Sequence, residues 1–277
     1  MPRDAEDPAD ERQYHLELSR GEVAETVLLP GDPERVPLIA STWDDHELLA
    51  EHREYVTAAG SIHGTPVSAT STGIGSPSAA IAVEELARVG AETFVRVGSC
   101  GAIQPGIDVG ELVITTGAVR LEGTSDEYVQ PAYPAVASHE VVGALVAAAE
   151  RLGHDYHLGL TASTDAFYAG QGRPGVDGFR APGAEERLEA LQEAGVANVE
   201  MEASAILTLA AIYGRRAGAI CAVYANRTTG DFAVEGQRRA AETASLATHL
   251  LDGMDERRDA EGASAFHPGL SIEYPED

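Results

Sequence analysis

An arginine stands in the middle of an apolar run, Thr93-Phe94-Val95-Arg96-Val97, directly before the small-residue turn Gly98-Ser99-Cys100-Gly101. On a solvated edge strand such a residue carries no chemical meaning. On a strand buried on both faces, the guanidinium must meet an anion or a carboxylate. The amides and hydroxyl that follow it can converge on one oxyanion, which makes phosphate binding the preferred reading of this stretch. The nucleophile elbow of esterases needs Gly-x-Ser-x-Gly ahead of a helix, whereas here Gly98 directly precedes Ser99. Cys100, read as a nucleophile, has no nearby histidine to activate it.

Four further stretches hold residue types suited to related chemistry. In VLLPGDPERV (27–36) a strand ends in a Pro-Gly-Asp-Pro turn, with Arg35 four residues after Gly31. Amides in such a turn can face an anion, although Pro and Gly also mark plain turns. STGIGSPS (71–78) begins like a dinucleotide fingerprint, but Ser78 stands where the third glycine belongs. A pyrophosphate site is therefore unsupported, and a mononucleotide or phosphate role remains. In NVEMEASAILTLA (198–210), Glu200 and Glu202 flank Met201 at the opening of an apolar helix. Carboxylates there suit the helix dipole; they equally suit vicinal hydroxyls, with the thioether lying against a sugar. Paired acids for glycoside hydrolysis are a third option, though these usually sit on separate elements.

FYAGQGR (167–173) places Phe167 beside Gln171 and Arg173. A glutamine offers a donor and an acceptor together, which matches an amide edge on a heterocycle. The nine histidines include no His-Glu-x-x-His, and His154 and His157 lack partners at ligand spacing, so no metal site is expected. His15 and His52 are the histidines of interest.

These groups need elements to position them. Strand-like runs are TVLLP (26–30), PVSATST (66–72), TFVRVGS (93–99), ELVITTG (111–117) and AGAICAVYAN (217–226). Helical patterns cover Pro77–Val89, His139–Leu152, Glu185–Glu193, Ala203–Tyr213 and Arg238–Leu251, with Ser76 and Pro77 read as N-cap and first helical residue of their helix. Alternation of this kind predicts an α/β fold with a mixed or mainly parallel sheet. No internal repeat or linker divides it, so one domain is expected over residues 14–254, between an acidic flexible tail at 1–13 and a second flexible tail at 255–277.

Composition bounds the partners. The chain has 45 acidic residues against 19 basic ones, all of them arginine, for a net charge of −26. That field repels nucleic acid and anionic membranes, so neither is expected as a partner. A lysine-free, carboxylate-rich surface fits a cytosol of very high salt, where screening removes most self-repulsion, and implies an extreme halophile. Cys100 and Cys221 show no paired spacing, so neither a disulfide framework nor zinc is indicated. Residues 1–13 are charged throughout, unlike a signal peptide, and no apolar run reaches the ~20 residues of a membrane span. A cytoplasmic protein is expected.

Taken in order, PGDPERV, HRE at 52–54, STGIGSPSAAIAVEELARVG, RVGSCGAIQPGIDVG, ASTDAFYAGQGR, VEMEASAIL and ANRT at 225–228 resemble the homohexameric nucleoside phosphorylase family, most closely its uridine phosphorylase branch. The likeness covers roughly residues 14–252. It implies a single α/β domain with a central twisted mixed β-sheet flanked by helices, packed as a trimer of dimers. It also implies a pentosyltransferase reaction: nucleoside plus phosphate gives ribose 1-phosphate and free base. Inorganic phosphate is then a co-substrate and no cofactor is expected; a monovalent cation at a subunit interface, near Glu54 and Ser78, stays open.

Carried over residue by residue, the resemblance assigns phosphate to Gly31, Arg35, Arg96 and Ser99, with Arg53 from a neighbouring subunit. Ribose falls to Glu200, Met201, Glu202 and Arg96, with His15 reaching across a dimer. The base falls to Gln171 and Arg173, with Phe167, Cys100, Gly101, Tyr224 and Ala225 around it and Arg227 in support. The members held most directly to catalysis are Arg96, Glu202, Arg173 and Gln171.

Departures bear on the base. Ser99-Cys100 stands where the branch usually has Thr-Thr, and Tyr224-Ala225 where it has aliphatics. The acid by which purine-type relatives protonate a ring nitrogen is absent near Asn226-Arg227, which disfavours adenosine. Uracil and the 6-oxopurines both present a carbonyl beside a ring N–H, so uridine leads, with guanosine or inosine as the alternative. A phosphate-independent nucleosidase and a noncatalytic nucleoside-binding protein are further alternatives. The first conflicts with Arg35, Arg53 and Arg96, and the second needs no catalytic phosphate set.

Overall fold

A computed structural model describes residues 12–271. In chain order its elements are β1 (Thr26–Leu29), α1 (Arg35–Ala40), β2 (Asp45–His52), β3 (Tyr55–Ile62), β4 (Thr65–Thr70), α2 (Ser76–Val89), β5 (Thr93–Ala102), β6 (Leu112–Leu121), β7 (Ala135–Val136), α3 (His139–Leu152), β8 (Tyr156–Thr164), α4 (Ala184–Glu193), β9 (Val196–Glu200), α5 (Ala203–Ile212), β10 (Arg216–Asn226) and α6 (Gln237–Ala260). All ten strands join one mixed sheet.

The sheet turns on β5. Its first half lies between β1 and β10, parallel to both, while its last two residues, Gly101 and Ala102, pair antiparallel with β9. Because β9 pairs with β8, β8 with β6 and β6 with β10, the ladder closes into a ring of five strands. The wing β1-β4-β3-β2 extends outward from it. Cys100, Ala102, Val113, Ala197, Cys221 and Val223 pack in a small apolar cluster drawn from four of the ring strands.

Alternation along β5 sends its side chains to two layers. Phe94 packs with Val83 and Leu86 of α2 and Leu209 and Ala210 of α5. Val95 and Val97 point the other way, into a core shared with α1, α3 and α6. Arg96 therefore shares Phe94's face, under the start of α5, and Ser99 shares the face of α1. β1, β4, β5 and β10 run parallel, so their C-terminal ends open at one edge, where ligands of open α/β sheets bind.

The expected α/β fold, with helices on both faces of a central mixed sheet, is the one observed. Several boundaries differ. Ser76 is inside α2 rather than its cap, because Gly75 takes the cap position and the Ser76 hydroxyl donates to the Met201 carbonyl at 2.9 Å. α6 runs on to Ala260, past residue 254, where the expected domain ends. Asp255 there accepts Arg216 Nη1 at 2.8 Å, and the Phe266 carbonyl lies 3.2 Å from His139 Nε2, so this segment is tied to β10 and α3. At the other end, residues 1–11 of the expected acidic tail lie outside the described residues, while Gln13 is buried. None of the described helices is long and apolar enough to cross a membrane.

Candidate active site

Arg96 is 4% exposed, and its charge is met from within the chain. Its Nε donates to Glu200 Oε2 at 2.7 Å and its Nη2 pairs with Glu202 Oε2. Burial alone would lower its pKa, but the charges of Glu202 and Glu200 outweigh that and hold it above the ordinary value. Nη1 is left buried with no partner. The sequence question of anion or carboxylate thus resolves as carboxylates, with one donor left over.

The two carboxylates are not equivalent. Glu200 ends β9, and four donors converge on it: Arg96 Nε, the amides of Glu202 (2.8 Å) and Ala203 (3.0 Å), and the Ser163 hydroxyl. Two of these are N-terminal amides of the Glu202–Ala203 turn, where the α5 dipole favours an anion. Glu200 borders the cleft, but this geometry makes it the anchor of Arg96. Glu202 has fewer partners, Arg96 Nη2 and the Gly75 amide at 2.5 Å. Burial raises its pKa, the Glu200 charge adds to this, and Arg96 opposes it. Gly75 reaches this contact with φ 94°, a left-handed conformation that glycine adopts without strain. The glycine-rich stretch therefore serves a carboxylate of this chain through the Gly75 amide.

Gly98 has a packing reason of its own. A Cβ there would lie 2.8 Å from the Arg96 guanidinium carbon and 2.9 Å from Cys221 Sγ, so only glycine lets the guanidinium fold back over the strand.

These residues border a cleft of about 620 Å³ at the C-terminal strand edge. Gly31, Arg35, Arg96 and Ser99 all line it, with Arg35 Nη2 3.4 Å from Ser99 Oγ. Glu200, Met201 and Glu202 line it from the β9–α5 junction. Cys100, Gly101, Phe167, Gln171, Arg173, Tyr224 and Ala225 complete the expected lining. Glu54, considered only as a neighbour of a cation, lines it as well, and so do Asp32, Pro33, Gly73, Ile74, Val199 and Phe232, which the sequence does not single out. Most fall inside motifs already noted, whereas Phe232 comes from the polar loop after β10, where nothing in the sequence marks it.

Gln171 is buried, with Nε2 3.3 Å from Thr164 Oγ1 and Oε1 accepting from Arg173 Nη1. Arg173 also donates to the Phe167 carbonyl at 3.0 Å and lies 4.0 Å from the centroid of that ring. Burial, then repulsion from Arg227, lowers the Arg173 pKa to about 10, so it remains a cation near neutrality. Arg227 stands behind the cleft and donates to the Gln171 carbonyl at 3.0 Å. The Cys100 thiol is pushed well up by burial and by neighbouring Cys221, which makes it a poor nucleophile. Both cysteines are free.

His15 and Arg53 do not line this cleft. His15 Nδ1 lies 2.6 Å from Glu85 Oε1, and Arg53 stacks near the Tyr14 ring, 5.7 Å from its centroid. His52 Nδ1 is 3.0 Å from the His15 carbonyl. Among the described residues, no group of three or more His, Cys, Asp or Glu side chains is placed to hold a metal ion.

The family model for the phosphorylase superfamily matches residues 25–252. The chain belongs to that superfamily. Among phosphorylase relatives, a uridine phosphorylase of Thermococcus kodakarensis is 55% identical over 268 residues, 96% of this chain and 97% of its own length. A uridine phosphorylase of Escherichia coli is 45% identical over 78% of this chain and 86% of its own. A guanosine phosphorylase of Halorubrum lacusprofundi is 44% identical over 79% of this chain and 86% of its own.

Gly98→Ala is expected to cost about 1–3 kcal/mol by overpacking against a guanidinium that two ion pairs hold in place; a urea midpoint equal to the parent's would show that Arg96 can yield. For Glu202, the folded pKa lies above the unfolded one. Its ionised form therefore counts against folding, not at all below the unfolded pKa and fully above the folded pKa. Thermal unfolding of Glu202→Gln should consequently compare more favourably with the parent at about pH 8 than at about pH 4. A difference in Tm that does not change with pH would contradict this.

Proposed function

We propose that the protein catalyses phosphorolysis of a ribonucleoside, as uridine phosphorylases do, yielding ribose 1-phosphate and free base. The observation that carries the reading is the unpartnered Nη1 of buried Arg96 in a cleft that also holds Arg35 and Ser99. A nucleosidase using water has no need of that cluster, and a binding protein has no need to keep an ionised guanidinium at such desolvation cost.

Arg96, Arg35 and Ser99 hold phosphate beside C1′. The C1′–N bond breaks toward an oxocarbenium-like sugar, its electron pair leaves with the base, and a phosphate oxygen forms the new bond to C1′. Fixing phosphate in line supplies orientation, and its negative charge faces the developing cation. Glu202 and Met201 hold the ribose. Arg173 and Gln171 present a cation and an amide to the departing base, which stabilises charge building on its carbonyl edge. An amide accepts from a ring N–H and donates to a carbonyl, which suits uracil and leaves cytosine or adenine mismatched.

A second reading, a 6-oxopurine nucleoside as substrate, draws on the small Ala225 beside the cleft and on the guanosine phosphorylase among the relatives. The same Gln171 edge serves guanine or hypoxanthine. We further propose that the assembly is a hexamer built from dimers, in which Arg53 and His15 complete a neighbour's cleft; their position away from this chain's own cleft supports that arrangement. The charge of −26 without lysine supports an origin in high salt.

Free-base release from uridine, thymidine, guanosine, inosine and adenosine, with and without phosphate in molar potassium chloride, tests the function. Release is expected only with phosphate, fastest from uridine, and Arg96→Ala should lower kcat/KM by about two to three orders of magnitude. Release without phosphate would make the protein a nucleosidase, and near-normal phosphorolysis by the variant would remove Arg96 from the mechanism. Unfolding or dissociation in dilute buffer is the expected result for a halophilic protein, and a stable, active assembly there would rule that origin out.

A further inference from the structure

Behind the cleft lies another buried carboxylate, Glu122, 3% exposed, immediately after β6. Its Oε2 accepts the Ser125 amide at 2.8 Å, and its Oε1 accepts the Ser204 hydroxyl at 2.9 Å and the Ser125 hydroxyl. Arg120 donates Nε to Ser125 Oγ at 2.8 Å and Nη1 to the carbonyls of Gln130 and Tyr133, each at 2.8 Å, fastening the loop around this carboxylate.

From Ser204 the chain of contacts continues to the cleft. The Ser204 amide donates to Ser163 Oγ at 2.9 Å. An amide can only donate, so the Ser163 hydroxyl accepts there and gives its own proton to Glu200 Oε1. Glu200 in turn holds Arg96 Nε. Ser125, Glu122, Ser204, Ser163, Glu200 and Arg96 are all buried, so no water replaces a missing partner. Glu122 grips Ser204 in the first turn of α5, next to Glu202 and Ala203, whose amides hold Glu200.

We propose that Glu122 and Ser163 are positioning residues for phosphorolysis: acting through the first turn of α5, they fix Glu200 and hence the orientation in which Arg96 meets phosphate. Neither touches substrate. The inference rests on the reading of Arg96 as a phosphate donor.

The test is steady-state kinetics of the full-length protein, with uridine and inorganic phosphate varied separately, for Ser163→Ala, Glu122→Gln and Glu122→Asp. Ser163→Ala and Glu122→Gln should raise KM for phosphate about tenfold, the size of one lost hydrogen bond to a charged group, with a smaller change in KM for uridine. A residue needed only for folding lowers the active fraction, and so kcat, without moving KM. Glu122→Asp keeps the carboxylate and should fall between Glu122→Gln and the parent, which preserves the test should Ser163→Ala not fold. In an Arg96→Ala background, Ser163→Ala should have no further effect on KM for phosphate. Parental KM for phosphate in both Ser163→Ala and Glu122→Gln, beside a raised value in Arg96→Ala, would overturn the proposal alone. A parental value in Arg96→Ala would overturn the reading beneath it as well.

Discussion

The buried group formed by Arg96, Glu200 and Glu202 is the interaction on which the rest of this structure depends. An arginine in a two-faced strand is tolerated only with a counter-charge, and here two carboxylates face it. Glu202 has fewer donors than Glu200, and burial raises its pKa. Neighbouring elements are shaped to this trio. Gly98 lacks a side chain so that the guanidinium fits, Gly75 turns left-handed so that its amide reaches Glu202, and β9 ends at Glu200 where α5 begins.

The closed ring of strands explains how such distant residues meet. Arg96 and Glu200 are 104 positions apart. They come together because β5, after running parallel between β1 and β10, turns its last two residues to pair with β9. That pairing brings the end of β9 and the start of α5 over the face of β5 on which Arg96 lies. A flat sheet would leave β9 at an edge and Arg96 without its carboxylates. The ring and the ion pairs therefore specify each other, a consistency between local chemistry and global topology expected of a sequence with one native state.

How much of this was legible in the sequence depended on whether a signal was local. An arginine inside Thr93–Val97 stands out against its neighbours, and the Glu-Met-Glu and Gln-x-Arg pairs lie within single elements. Strands β2 and β3 gave little signal because β2 is largely exposed and charged, DHELLAEH, without clean alternation. β9 has only five residues, VANVE, and merged with the apolar helix that follows. Glu122, Ser163 and Ser204 were invisible for a different reason. Each is an ordinary residue in its own segment, and becomes a network member only when the ring stacks β6, β8 and α5 together. The N-capping role given to Ser76 failed likewise, because its hydroxyl has a tertiary partner, the Met201 carbonyl.

The charge of the whole chain and the chemistry of its cleft point in opposite directions, and distance reconciles them. A surface field of −26 repels phosphate, but at about 1 M salt the Debye length is about 3 Å, so exposed carboxylates scarcely act on an anion at the cleft. On the proposed reading, phosphate would meet Arg35, Ser99 and Arg96 at hydrogen-bond range inside a partly desolvated cleft, where screening is weakest. In dilute buffer the balance reverses: the long-range repulsion returns, while the contact terms gain little. Phosphate recognition as proposed would thus depend on short, oriented donors rather than on an attractive field. Small errors in the orientation of one guanidinium then matter more than any change of surface charge. A chain of buried hydrogen bonds reaching from Glu122 to Arg96 is the kind of structure that such a dependence would demand.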